Sequence, residues 1–176
     1  MRLFFAVIFP SEIKDRLCAV MENLRPCCAQ GRFTLRENLH LTLVFLGEIP
    51  NEKLPLVRAA MEATSAESFP LHIGGMGCFR QNGGDLYWAG VERTQPLCSL
   101  YDSLSAELQE RGFPAESRTY RPHLTLVRQA VLTEGCDRSA FTVPVMKMNV
   151  EKFSLMKSER VGGRLLYTEI GSKNFI

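Results

Sequence analysis

Residues 40–44 read His-Leu-Thr-Leu-Val, and residues 123–127 read His-Leu-Thr-Leu-Val again. In an extended strand, residues i and i+2 point the same way. His40 and Thr42 therefore share one face, and His123 and Thr125 share another. Leu41 and Leu43 in the first copy, and Leu124 and Leu126 in the second, line the opposite faces. A slip of one residue would expose leucine and bury histidine, so the apolar side of each strand aims the polar side. One His-x-Thr on a strand would carry little weight, because threonine is common in strands. Two copies with the same flanks point to a shared site. Packing alone accounts for the leucines but gives no reason to keep a histidine in both.

The phrases sit at equivalent places in two similar half-chains. The separation of Phe4 from His40 matches that of Leu86 from His123 to within one residue. In the first half, the apolar run from Leu3 to Phe9 predicts a strand covered on both sides, or covered on one and lining a cleft on the other. Ser11 is a candidate helix cap, and Ile13, Leu17, Val20 and Leu24 recur at helical spacing until Pro26. Residues 26–32 read as loop, and Asn38 to Leu46 as the strand of the first copy. Asn51 is a second candidate cap, for a helix carrying Leu54, Val57 and Met61 with Pro55 in its first turn. Phe69 to Phe79 is strand-like despite Gly74, Gly75 and Gly77.

The order restarts after the turn signal Gln81-Asn82-Gly83-Gly84. Leu86 to Val91 predicts a strand. Thr94 is a candidate cap for a helix with Leu97, Leu100, Tyr101, Leu104 and Leu108 on one stripe, ended by Gly112. Residues 118–127 predict the strand of the second copy, and 130–140 a loop or short helix. Phe141 to Met156 and Leu165 to Ile170 are strand-rich, with a turn at Gly162-Gly163. Two pseudo-symmetric lobes are expected in one domain over 1–176, each a sheet with helices on its outer face, with the lobe boundary near 80–85. A twofold relation would bring equivalent strands to opposite sides of one cleft.

Bulk properties bound the function. Apolar residues make up 45% and charged residues 23% of the chain, the composition of a globular protein. With 21 basic and 19 acidic residues, the total charge argues for neither nucleic acid nor membrane. Leu3 to Phe9 is too short to span a bilayer and lacks a cleavage pattern, so no membrane association is expected. The six cysteines show no C-x-x-C or metal spacing, and reduced thiols in a cytoplasm are expected.

Histidine can give or take a proton near neutral pH, so a facing pair can act as acid and base in one step. A threonine hydroxyl can donate to an anionic oxygen. Two such units around one tetrahedral anion would bind and split a phosphodiester. A metal site would need a further carboxylate or thiolate, and neither copy has one at i±2, so no metal and no cofactor is expected. His72, outside both copies, is expected to be structural or exposed.

The chain resembles the two-histidine phosphoesterases, and more closely the bacterial RNA 2′,3′-cyclic phosphodiesterases, also called 2′-5′ RNA ligases. The resemblance rests on Arg2-Leu3-Phe4-Phe5-Ala6, Asn38 to Leu43 continuing to Phe45-Leu46-Gly47-Glu48, Pro122 to Leu126 followed by Arg128, and Phe153-Ser154-Leu155 with Tyr167. It implies an α+β fold of two antiparallel-sheet lobes flanking a central cleft. It implies metal-independent opening of an RNA terminal 2′,3′-cyclic phosphate to a 2′-phosphate, with 2′-5′ ligation as the reverse reaction. His40 would be the acid, His123 the base, and Thr42 and Thr125 would hold the non-bridging oxygens. The partner would be RNA or an oligonucleotide with that terminus, and the acting unit a monomer.

Several assignments stay open. Arg128 suits a phosphate, but by strict alternation it shares a face with Leu124 and Leu126. It reaches the cleft only through a bulge or a strand end; otherwise it is an exposed arginine. Phe5, Phe9 and Phe45 could stack on a base or fill the core. Lys152, Lys157, Arg160 and Arg164 could meet an RNA backbone or form a solvated face. A small-nucleotide cyclic phosphodiesterase and a non-catalytic RNA- or nucleotide-binding module are the competing functions.

Overall fold

The computed structural model describes residues 1–114 and 116–175. Among these residues, nine strands form two antiparallel sheets. They are β1 (Arg2–Ile8), β2 (Cys28–Phe33), β3 (His40–Glu48), β4 (Phe69–Phe79), β5 (Asp85–Val91), β6 (His123–Leu132), β7 (Met146–Val150), β8 (Lys152–Val161) and β9 (Arg164–Asn174). The helices are α1 (Ser11–Leu24), α2 (Leu54–Ala63) and α3 (Gln95–Glu110). One sheet has the order β3-β1-β8-β9 and the other β2-β6-β5-β4-β7. This is the expected α+β architecture. No helix among the described residues is long and apolar enough to cross a membrane.

The two sheets share one apolar core. Leu41, Leu43, Leu124 and Leu126 pack in the same cluster as Ile13 and Leu17 of α1 and Leu97, Leu100 and Leu104 of α3. Two of the helices touch the histidine strand of the other sheet: α1, which follows β1, contacts β6, and α3, which follows β5, contacts β3. The lobes are therefore braced against each other by the same leucines that set the register of the two repeated phrases.

The pairing registers make the equivalence of the two repeated phrases explicit. Ala6, Val7 and Ile8 face Thr42, Leu41 and His40, while Trp88, Ala89 and Gly90 face Thr125, Leu124 and His123. The inner neighbours are exchanged, however. β4, from the first half-chain, lies beside β5, and β8, from the second, lies beside β1. The turn at 81–84 is thus a hairpin within one sheet, and the expected lobe boundary near 80–85 is corrected. A Gly-rich turn shows that the chain reverses; it does not show which sheet the next strand joins.

Local departures have local causes. Residues 28–33 form an edge strand on β6 instead of loop; their sequence, Cys-Ala-Gln-Gly-Arg-Phe, lacks alternation because an edge strand with little burial needs none. Ser11 opens α1 as a helical residue while Pro10 takes the flanking position. Thr94 does flank α3, but its hydroxyl makes no cap bond. Asn51 begins a short 3-10 turn ahead of α2. The final strand runs on to Asn174. Gly77 has a steric purpose: a Cβ there would lie 2.0 Å from the Trp88 ring opposite it, so glycine leaves room for the indole.

Candidate active site

Both repeated histidines are held in the same way. His40 Nδ1–H donates to the carbonyl of Asn38 at 2.6 Å, and His123 Nδ1–H donates to the carbonyl of Arg121 at 2.7 Å. A carbonyl can only accept, so each Nδ1 carries a proton, and a ring in its neutral form leaves Nε2 with a free lone pair. The Thr42 hydroxyl donates to that lone pair in His40 at 2.9 Å. The two imidazoles, Thr42, Thr125 and Arg128 line a common pocket of about 80 Å³, together with Thr34, Asn38 and Tyr167. The two copies, distant in sequence, thus converge on one space the size of a small anion.

Strands and aromatic rings fix the imidazoles from behind. Phe4 and Tyr167 lie 4.8 and 5.1 Å from His40, centroid to centroid. Phe79 and Trp88 lie 5.2 and 6.1 Å from His123. The enclosure of His40 lowers its pKa to about 4: burial is the largest cause, the Asn38 carbonyl acts in the opposite sense, and Arg128, Lys14 and His123 add repulsion. In the free protein His40 is therefore a neutral imidazole at neutral pH.

Arg128 enters the pocket through a bulge. Tyr87 faces Val127 while Trp88 faces Thr125, so Leu126 is the extra residue on β6. Leu126 and Val127 are both buried, and the alternation restarts with Arg128 on the same side as His123 and Thr125. The guanidinium reaches to 3.4 Å from the Thr125 hydroxyl. The first copy bulges at the equivalent residue: Phe5 faces Val44 while Ala6 faces Thr42, which leaves Leu43 as the extra residue. Phe45 is then the counterpart of Arg128, and at 53% exposed it stands in the cleft and not in the core. Strict alternation missed both because neither bulge carries a glycine or a proline.

Three residues in or beside the pocket have roles that were not legible in the sequence. Thr34 follows the edge strand β2, and its hydroxyl donates to the Thr125 carbonyl at 2.8 Å. Across the cleft, the Tyr120 hydroxyl donates to the Thr42 carbonyl at 3.1 Å. Asn38 is buried; its amide donates to the carbonyl of Leu165 at 2.7 Å, and its side-chain oxygen accepts from Tyr167 N–H at 3.2 Å. That clamp holds β9, and with it the Tyr167 ring, against His40. Each role depends on a partner far along the chain.

Two larger cavities open from the small pocket. One, of about 660 Å³, lies on the His40 side and is lined by Phe4, Phe45, Arg128, Lys157, Arg160 and Tyr167 among others. The other, of about 770 Å³, lies on the His123 side with Phe45, Phe79, Arg118, Tyr120 and Arg121 on its walls. Phe5 and Phe9 are core residues. Lys152 pairs with Glu169 and Arg164 approaches Glu37, both away from these cavities. His72 pairs with Glu92. Among the described residues, no three His, Cys, Asp or Glu side chains converge as metal ligands.

Comparison with known proteins places this geometry. A family model for the 2′-5′ RNA ligase superfamily matches residues 11–162. The RNA 2′,3′-cyclic phosphodiesterase of Methanothermobacter thermautotrophicus is 32% identical, over 96% of each chain. The enzyme of that name from Escherichia coli K12 is 30% identical, over 96% of this chain and 93% of its own. The crystal structure of E. coli LigT complexed with 3′-AMP superposes with a TM-score of 0.83 at 27% identity, covering 99% of this chain and 97% of that one. That of TT0787 from Thermus thermophilus gives 0.81 at 29% identity, covering 99% and 98%. The chain belongs to the 2′-5′ RNA ligase superfamily.

Proposed function

We propose that this protein opens the terminal 2′,3′-cyclic phosphate of RNA to a 2′-phosphate, without a metal. The observation that carries the reading is the common pocket in which two carbonyl-oriented imidazoles meet two threonine hydroxyls and one guanidinium. The phosphate sits between the rings, with its non-bridging oxygens on Thr42, Thr125 and Arg128. His123 Nε2 takes a proton from water as the oxygen attacks phosphorus, the P–O3′ bond breaks, and His40 Nε2–H protonates the departing 3′ oxygen. The anion itself prepares His40 for that task, because a negative charge at contact distance raises the pKa that burial has lowered. The reverse step, with an alcohol as nucleophile, is 2′-5′ ligation. The names of the RNA 2′,3′-cyclic phosphodiesterase relatives and the 3′-AMP bound to E. coli LigT support this substrate class.

The acting unit in this reading is a monomer. The six free cysteines support a reducing compartment such as the cytoplasm. The test is incubation with an RNA ending in a 2′,3′-cyclic phosphate in the presence of EDTA, with identification of the product isomer. A 2′-phosphate is expected, and His40→Ala and His123→Ala should each lower kcat by roughly 10²- to 10⁴-fold. Full turnover in both variants, or a requirement for added metal, would overturn the mechanism.

A further inference from the structure

Away from the cleft, two thiols meet where β2 begins and β6 has just ended. The carbonyl of Cys27 accepts from the Thr133 amide at 3.0 Å and from the Thr133 hydroxyl at 3.3 Å. These bonds continue the pairing of Cys28 with Leu132 by one step. The chain then reverses: the Cys136 amide donates to the Thr133 carbonyl at 3.3 Å, and Gly135 takes a φ of +73°. A positive φ at the third residue of a four-residue turn is what a type II turn requires, and glycine supplies it. The turn carries Cys136 back to Cys27, and the two thiols form a hydrogen-bonded pair. We propose that Cys27 and Cys136 are a redox site, a dithiol that closes reversibly to a disulfide and ties the loop after β6 to the start of β2. The proposal stands independently of the cyclic-phosphate reading above.

The surroundings assign the two sulfurs different parts. Cys28, next in the chain, packs against the apolar cluster of Tyr87, Val127 and Ala130 and is taken up by packing. The hydrogen bond to Cys27 is the largest cause that pushes the Cys136 thiol up to about 11, with burial second. Cys136 therefore keeps its proton near neutral pH, and the first attack belongs to Cys27. With a low-molecular-weight disulfide such as oxidised glutathione as the oxidant, the Cys27 thiolate attacks one of its sulfurs, the S–S bond breaks and one glutathione thiolate leaves. Capping Cys27 removes the thiol that held the Cys136 proton, so Cys136 now ionises more readily. Its thiolate attacks the Cys27 sulfur, the mixed disulfide breaks and the second glutathione leaves. Two electrons pass from the protein thiols to the glutathione disulfide, and the two thiol protons end on the released glutathiones. The bond would act on a weak part of the fold. β2 is a little-buried edge strand whose pairing with β6 is interrupted by two register shifts. It leads directly to Thr34, whose hydroxyl holds the Thr125 carbonyl. A disulfide restricts the unfolded chain more strongly the longer the loop that it closes, and the loop from 27 to 136 covers most of this chain.

The experiment incubates the full chain with oxidised glutathione, blocks the remaining thiols by alkylation and maps the peptides by mass spectrometry without reduction. Two of the six thiols should be consumed, in one intramolecular Cys27–Cys136 link that dithiothreitol reverses. The oxidised protein should melt roughly 5–15 °C higher than the reduced one, and the amides of β2 should exchange more slowly with deuterium. Cys136→Ser should trap glutathione on Cys27, Cys27→Ser should leave Cys136 unmodified, and Cys28→Ser should form the same link as the wild-type protein. A link from Cys28 to Cys136, glutathione scattered over several cysteines with no internal link, or a link between two chains would each overturn the assignment. So would a Cys27–Cys136 link that leaves both the melting temperature and the exchange of β2 unchanged, because the bond would then tie nothing. The wild-type peptide map decides the pairing even where a serine variant fails to fold.

Discussion

The chemistry turns on single side chains, and His40 is the most constrained of them. Burial holds its pKa at about 4 in the free protein, whereas its proposed task requires a proton on Nε2. Binding of an anion should therefore draw in a proton between about pH 4 and 6.5. Calorimetric titration with inorganic phosphate in two buffers of different ionisation enthalpy should show that uptake at pH 6, and His40→Gln should abolish it. Arg128 is the second test at this scale. Charge-assisted hydrogen bonds contribute on the order of 1.5–3 kcal/mol, so Arg128→Ala should lower kcat/KM by roughly 10- to 100-fold. Arg128→Lys should recover only part of this, since an ammonium cannot make the paired contact of a guanidinium. Recovery of full activity by lysine would mean that Arg128 supplies field and not geometry.

At the scale of strands, the site depends on two bulges and one glycine. The bulge at Leu126 turns Arg128 from the leucine side to the histidine side, and the bulge at Leu43 does the same for Phe45. Deleting Leu126, the extra residue, puts Val127 in its place between Thr125 and Arg128, so that strict alternation by itself keeps the guanidinium on the histidine side. The expected outcome is turnover well above that of Arg128→Ala; turnover as low as in that variant would mean that the bulge sets the reach of the guanidinium and not only its side. Gly77 supports the other flank: Trp88 lies over it and beside His123. Gly77→Ala drives a methyl into a rigid indole and should cost about 1–3 kcal/mol by thermal or urea unfolding. It should also lower kcat by displacing His123. Unchanged stability would show that the indole can move aside freely.

For the molecule as a whole, the exchanged strands and the shared leucine core tie the two sheets into one unit. Unfolding is expected to be a single transition by both near- and far-UV circular dichroism, despite the two lobes. Its pH dependence follows from His40. The unfolded chain binds a proton near pH 6.5, but the folded protein resists it down to about pH 4. Stability should therefore be full above pH 6.5 and decline as pH falls through that window, by on the order of 2 kcal/mol once the part of the ring open to the pocket is allowed for. Denaturant unfolding of the wild-type protein and His40→Gln at pH 7 and pH 4.5 measures this; the variant should show the smaller drop.

The repeated His-Leu-Thr-Leu-Val was enough to reveal two equivalent strands, their buried and polar faces, and the four side chains that meet in the pocket, because a period-two pattern is a local property of the backbone. The leucine stripe of α3 and its end at Gly112 were legible for the same reason. Residues 28–33 were not, since an edge strand with little burial leaves no alternation to read. Nor were the exchange of β4 and β8, the clamp made by Asn38, or the hydroxyl of Thr34, because each needs a partner supplied by a distant segment. The two bulges fall between these cases: the sequence raised the possibility for Arg128, and pairing with β5 decided it. Local pattern set which faces are polar; only the packing of one sheet against the other brought those faces to a single pocket.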